Sequence, residues 1–516
     1  MARWFPSGSR STGRRWSSWS STGSAAVVVA LGATGLLATV AGLVDLVGDG
    51  DDTVVLLVVG GLLGVGAVLL RAATPPAERI RDANVLVATV ASLVGFLLGV
   101  AGLLLATGLA PATTSGIVDA LADATAVGTT TALGVLQPAL DDHAGRFLLA
   151  GAQWLGGLGA LMIGVAVLPF FGAGREFADR SRRGGRRPMT PDQATAVRNI
   201  TAIHGSVSAL TWVAYAVAGA EPFDALLLGM ATASTGGRAV GAPLDTAALQ
   251  WVAVGGMLAA GTSLVVLWRL VHGRARNLWR SDELQIYVGL VVVGTLLLLL
   301  WSDGGGSDGL RGAAFTVTAA LTTTGFPSAP GGTWAPAAPI LVLGLASIGP
   351  MVGSAGGGFQ ILRHRILAQA AVREMLRQMH PRSLTLVRLG GRVADEDTLS
   401  KVVVTQFLFV SVLFGTALVV ALGGLDLVTA LGAAVHAIST AGPVRTVDGV
   451  VVDPASWPDG VRLALLPAMV IGRLSVYPAF VAVGAGVSVA RDRVRIRRRW
   501  RSLGGWRRAR GKVNRS

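Results

Sequence analysis

The stretch Ala319–Pro330 reads AALTTTGFPSAP. It follows an apolar run, Ala313–Leu321, and places Thr322, Thr323 and Thr324 directly before Gly325. Three hydroxyl residues and a glycine are too polar for a helix that faces lipid. They suit a short extended backbone lining a cavity, the one setting in which non-helical chain is tolerated at membrane depth. The chain repeats the idea as TTTA at Thr129–Ala132, STGG at Ser234–Gly237 and STAG at Ser439–Gly442.

Aligning these segments on Ala132, Gly237, Gly325 and Gly442 reveals a longer unit. Thirteen residues upstream stand Asp119, Asp224, Gly312 and Thr429, each followed by alanine. Each unit therefore reads as long apolar helix, short helix, Ser/Thr-rich turn, long helix. Such internal repetition marks a pseudo-symmetric assembly. One Thr–Gly step reads as well as a helix C-cap. Four at one spacing predict a ring of backbone oxygens able to replace the hydration shell of a monovalent cation. Glycine is expected to supply the φ > 0 that turns carbonyls inward. The short helices would point their negative ends at the ion. No ring of carboxylates suited to a divalent ion accompanies the motifs.

Composition sets the surroundings. The 516 residues are 52% hydrophobic and only 14% charged, with 70 glycines and no cysteine. That balance belongs to a polytopic membrane protein, and it excludes disulfides and thiolate chemistry. The net charge of +15 lies in segments between and beyond apolar runs. It reads as topology charge and not as a nucleic-acid surface. The expected fold class is all-α and polytopic, with four pseudo-symmetric repeats of helix, pore helix, filter and helix after two leading transmembrane helices. The divisions are a basic cytoplasmic tail (1–24), the leading pair (25–82), repeats at 83–198, 199–282, 283–397 and 398–490, and a basic tail (491–516). The count is roughly ten full spans and four half-spans. With both termini cytoplasmic, every Arg-rich segment falls on one side: the N-tail, Arg71–Asp82, Arg175–Arg198, Arg269–Arg280, Arg363–Arg392 and the C-tail. The filter segments fall on the other side with acidic Asp45–Asp52, as the positive-inside rule requires.

These residues resemble the TrkH/KtrB family of K⁺ transporters, within the Trk/Ktr/HKT superfamily. TAALTTTGF (Thr318–Phe326) and AISTAG (Ala437–Gly442) are similar to the family's third and fourth filters. QWLGGLG (Gln153–Gly159) is similar to its WLGG signature, and GSAGGGFQILR (Gly353–Arg363) to its helix-breaking glycine stretch. The resemblance runs from about Val85 to Val489, and the leading pair matches TrkH. It implies uptake of K⁺ across the cytoplasmic membrane, with a Na⁺-permeable permease as the alternative. The implied filter residues are Thr130, Thr131, Ala132, Thr235, Gly236, Gly237, Thr323, Thr324, Gly325, Thr440, Ala441 and Gly442. The implied gate is Gly353, Ser354, Gly356, Gly357 and Gly358 with Arg473, a mid-span charge in GRLS where the family carries GRLE. No bound cofactor is implied. The implied partners are membrane lipid, a second copy as homodimer and a TrkA/KtrA-like cytosolic nucleotide-binding ring on the basic face, with no nucleic acid.

Three positions depart from the family pattern. Ala132 replaces a glycine, placing a Cβ where φ > 0 is expected, and in plant relatives a serine there goes with Na⁺ preference. Arg238 replaces a phenylalanine and would repel incoming cations unless paired, with Asp245 a candidate partner. Gln360 replaces a lysine. A weakly selective permease and a non-conducting regulatory homologue are the alternatives these raise. A membrane enzyme is poorly supported, because the helices carry almost no Asp, Glu or His. The six histidines show no metal spacing, and His436 reads as a packing residue.

Overall fold

The computed structural model describes residues 12–48, 50–74, 82–167, 193–271, 273, 281–301, 306–327, 337–380, 387–389, 392–445 and 450–485. Among them the chain is helical apart from connecting segments and one two-stranded hairpin, Arg388–Leu389 with Arg392–Val393. Much of the Arg-rich sequence on which the topology rests lies outside these residues, namely residues 1–11 of the N-tail, most of Arg71–Asp82, Arg175–Arg198 and Arg269–Arg280, and all of the C-tail.

Two leading helices, Thr12–Val47 and Thr53–Ala73, pack antiparallel. Glycine permits the closeness. A Cβ on Gly35 would lie 2.9 Å from the Gly64 amide, and one on Gly60 2.7 Å from the Thr39 amide. The first helix starts thirteen residues earlier than the expected apolar run, because Thr12–Ser24 contains no proline to stop it.

The order entry helix, pore helix, extended segment, return helix then runs four times. Entry helices are Asp82–Ala106, Gln193–Val217, Asp282–Leu300 and Glu396–Leu422. Pore helices are Thr114–Thr129, Pro222–Ala233, Gly306–Leu321 and Leu427–Ser439. Thr113 and Asp426 cap the first and last of these through their side chains, and Pro222 opens the second. Return helices begin at His143, Ala247, Ala338 and Asp459. Each entry helix packs on its own pore helix, and each return helix packs on the pore helix of the next unit. The fourth return helix packs on the first pore helix, so the units close into a ring.

Three return helices are not straight spans, as the helix-breaking glycine stretch anticipates for the third alone. The second bends by 104° between Ala260 and Leu264, and the fourth by 101° between Arg473 and Val476. The third stops at Ile348 and resumes only at Ile361. For the second and third the physical cause is shared hydrogen bonding. The Ala355 and Met351 amides donate to the Ala260 and Gly261 carbonyls, and the Leu264 amide donates to the Gly353 carbonyl, at 2.9–3.3 Å. Bonds that would continue the second helix are made with the third instead.

Among the described residues seven helices are long and apolar enough to span a bilayer, or nine with each bent pair counted as one span. The remaining expected span, the third return helix, is the interrupted one. Large apolar side chains such as Phe407, Phe414 and Leu418 face outward along these helices. This is the surface of a multi-pass membrane protein and not of a soluble one.

Candidate functional site

The four pore helices end alike. Thr130, Thr235, Thr323 and Thr440 each adopt a left-handed conformation, with φ of 55°, 53°, 56° and 49°. In each, that amide donates to the carbonyl three residues back. In units one, two and four the following amide donates five residues back: Thr131 to Ala126, Gly236 to Ala231 and Ala441 to His436. This is a helix C-cap of a kind that ordinarily uses glycine. A β-branched residue held there costs about 1–2 kcal/mol. Four such costs at one register mark a site where geometry is kept against local preference.

The expectation for glycine holds in part. Gly237 and Gly325 have φ of 64° and 74°. Ala132 and Gly442, at the same alignment position, are not left-handed. Ala132 therefore carries no backbone penalty, and that part of the sequence reading is corrected. Its side chain matters sterically instead, because a Cβ on Gly442 would lie 2.8 Å from the Ala132 Cβ.

The four segments meet. The Ala132 amide donates to the Ala441 carbonyl at 3.0 Å. A Cβ on Gly325 would lie 2.5 Å from the Gly442 carbonyl oxygen, and one on Gly237 would overlap the Thr324 carbonyl oxygen. The twelve residues singled out in the sequence are thus brought together, all buried except half-buried Ala132. The oxygens around them are uncharged. Thr129 and Thr131 pair through their hydroxyls at 2.9 Å, and Thr322 and Thr324 at 2.7 Å. The hydroxyls of Thr130, Ser439 and Thr440 are buried with no hydrogen-bond partner among the described residues. Such oxygens are what a dehydrated monovalent cation needs. No cluster of three His, Cys, Asp or Glu side chains suited to a metal ion occurs among the described residues. His436 is buried in the fourth pore helix.

The loop 349–360 lies against this site. The Gly357 amide donates to Thr323 Oγ1 at 2.8 Å, and the Gly358 amide to the Ser439 carbonyl at 3.0 Å. Gly349, Gly353 and Gly358 have φ of 73°, 78° and 71°. A side chain on Gly357 would overlap Thr440 Oγ1 and the Ser439 carbonyl. Glycine suits the backbone of the first three and the close approach of Gly357. Arg473 donates to the Ala355 carbonyl of the loop at 3.0 Å and to the Gly156 carbonyl of the first return helix at 3.1 Å. Ser354 and Gly356 complete the loop, and a Cβ on Gly356 would lie 2.7 Å from the Thr322 carbonyl oxygen. Glu283 accepts from the Val352 amide at 2.7 Å.

Two sets of contacts were not anticipated. The first links neighbouring units. In three return helices the fourth residue faces the next pore helix: Arg146 bonds Asp224 at 2.5 Å, Gln250 accepts from Arg311 Nε at 2.8 Å, and Arg462 pairs with Asp119. The corresponding residue of the third return helix is Leu341. Asp119 and Asp224 stood out in the repeat alignment, but their arginines lie 343 and 78 residues away in sequence. The second concerns Arg238, which pairs with Asp123 of the first pore helix at 2.8 Å and not with Asp245.

Comparison with known proteins agrees with this architecture. Residues 307–485 match the TrkH family, described as a cation transport protein. The Trk system potassium uptake protein TrkI of Halomonas elongata is 29% identical over 344 residues, 64% of this chain and 69% of that protein. TrkH of the same organism is 28% identical over 420 residues, 78% of this chain and 85% of the relative. TrkH of Escherichia coli K12 is 28% identical over 387 residues, 71% of this chain and 78% of that protein. These relatives are named as transporters, not enzymes. The crystal structure of the potassium transporter TrkH from Vibrio parahaemolyticus superposes with a TM-score of 0.80 at 21% identity, covering 89% of this chain and 98% of that one. The resemblance to the TrkH family read from the sequence holds in the family match and in the named relatives, and the solved structure shares the fold.

Proposed function

We propose that this chain takes up a monovalent cation, K⁺ foremost, along the axis where its four threonine-led segments meet. The observation that carries the proposal is the left-handed threonine repeated at one register in all four units. The buried, unpartnered hydroxyls of Thr130, Ser439 and Thr440 support it. Neutral oxygens replace hydration without binding so tightly that the ion is trapped. The C-terminal ends of the pore helices add negative potential at the same point.

Gly353, Ser354, Gly356, Gly357 and Gly358 act as the gate in this reading. Arg473 holds the gate shut by its bond to Ala355. The relatives belong to a system of several components by name, which supports a regulatory partner. We assign a cytosolic nucleotide-binding ring and a second copy of the chain as partners, in the cytoplasmic membrane with both termini cytoplasmic. A second reading, weak K⁺/Na⁺ selectivity, is favoured by the Ala132 methyl lodged against Gly442.

Two measurements test this. Expression should restore growth at low K⁺ to a bacterium lacking K⁺ uptake. Purified protein in proteoliposomes should carry Rb⁺ faster than Na⁺. Protein present in the membrane with neither rescue nor flux overturns the proposal. Equal Rb⁺ and Na⁺ flux, made unequal by Ala132→Gly, establishes the second reading in its place.

A further inference from the structure

The sequence left Arg238 as a puzzle, a cation beside the ion path. The structure places its guanidinium on Asp123 Oδ1 at 2.8 Å, with the carboxylate fully buried and the arginine side chain 13% exposed. Asp123 also accepts from the Val135 and Leu136 amides at 2.5 and 3.0 Å. These amides belong to the segment leaving filter one. Arg238 directly follows Gly237 of filter two. One carboxylate thus joins pore helix one, the exit of filter one and the exit of filter two.

The height of this junction follows from the helix. Asp123 lies six residues before the end of its pore helix at Thr129, about 9 Å along the axis at 1.5 Å per residue. The glycine loop touches the opposite, C-terminal ends of pore helices three and four. The junction therefore sits on the far side of the filter from the gate. The fit is mutual. A Cβ on Gly134 would overlap Arg238 Nη1 and lie 2.8 Å from Asp123 Oδ1. Gly134 opens the space that the guanidinium fills.

We propose that Asp123 and Arg238, with the gap at Gly134, form a neutral brace across filters one and two that positions the outer end of the filter and so sets which cation enters. This rests on the filter reading above. Unpaired, the arginine would place a positive charge at the entrance and the aspartate a negative one. Paired, they cancel, and a charge-assisted hydrogen bond from Arg238 Nη1 to Asp123 Oδ1 ties the two segments together. Arg238 and Asp123 are positioning residues, since the ion does not touch them.

The test measures Rb⁺ and Na⁺ flux in proteoliposomes for the wild type, D123N, R238Q, the double variant D123N/R238Q, R238K and G134A, each checked for monodispersity after purification. D123N should lower total flux by leaving the guanidinium uncompensated. R238Q should lower the Rb⁺/Na⁺ ratio, about tenfold for one close charge pair. D123N/R238Q should recover flux towards wild type, because neutrality returns. R238K should retain most of the ratio. G134A, which leaves both charges in place but fills the gap, should behave like R238Q. Wild-type transport with all five variants within twofold of its ratio overturns the brace alone. So do independent, additive effects of D123N and R238Q. A wild type that carries no ion overturns the filter reading, and the brace falls with it. If R238Q is not recovered as folded protein, R238K and G134A decide the matter by the same criterion.

Discussion

Removing the Arg473 guanidinium should open the path. Of its two bonds, the one to Gly156 anchors the arginine to the first return helix, and only the one to Ala355 bears on the loop. What Arg473 adds to the closed loop is therefore one hydrogen bond from a charged donor at 3.0 Å. Such a bond is worth about 1.5–3 kcal/mol. At 1.4 kcal/mol per factor of ten, Arg473→Ala shifts the open/closed ratio by roughly ten- to a hundredfold. The loop keeps its bonds to Thr323, Ser439, Ala260 and Gly261, so it stays folded and the filter stays braced from below. Rb⁺ uptake into proteoliposomes, without any partner protein, reads the change directly. The rate should rise at least tenfold, with an unaltered Rb⁺/Na⁺ ratio. Arg473→Lys, which keeps a charged donor, should raise it less. An Arg473→Ala rate within threefold of wild type, from protein that elutes as a single species, refutes the view that this bond holds the loop.

Other outcomes follow from the same geometry. Thr440→Gly relieves a left-handed threonine worth about 1–2 kcal/mol and should leave the melting temperature equal or higher. It should nevertheless reduce Rb⁺ flux, because an uncommitted oxygen is lost; higher flux would show that the hydroxyl is not a ligand. Ala132→Gly relieves no backbone strain and should lower stability slightly, by about 0.5–1 kcal/mol from chain entropy, as read by thermal melting in detergent. A clear rise in melting temperature would contradict the φ found there. Gly472→Ala places a methyl into the Ile438 carbonyl. Backbone cannot yield, so folded protein should be lost, whereas Gly61→Ala, with nothing near its side-chain position, should express as wild type. Arg146→Ala leaves Asp224 unpaired at the link between units one and two. It should cost several kcal/mol, about 3–5 for a buried pair broken on one side. Asp224→Asn in the same chain should recover part of the lost melting temperature.

Much of the architecture was legible because a bilayer restricts the choices so severely. Apolar runs of span length, basic segments on one side and a polar motif recurring at one spacing admit few arrangements. That the twelve singled-out positions come together was readable for the same reason. A hydroxyl-rich turn inside an apolar run has to line a cavity, and four at one register have to share it. The glycines of 349–358 were readable as a break because so many cannot sustain a helix.

Other features were invisible because their causes lie far away in the chain. The bends at 261–263 and 474–475 carry no proline at the break. The first exists because amides of the third return helix take its carbonyls. The pairing of Arg238 with Asp123 spans 115 residues and passes over the sequence-near candidate Asp245. The left-handed turn falls on Thr130, Thr235, Thr323 and Thr440, where local preference argues against it.

The amino-acid order alone determined that this is a membrane protein of four like units around polar segments, since hydropathy and spacing are properties of the chain itself. The tertiary structure decided which residue bears the strain, which carbonyls each break shares and which charge cancels which. These depend on the closing of the ring, when the fourth return helix meets the first pore helix and groups hundreds of residues apart come within hydrogen-bonding reach.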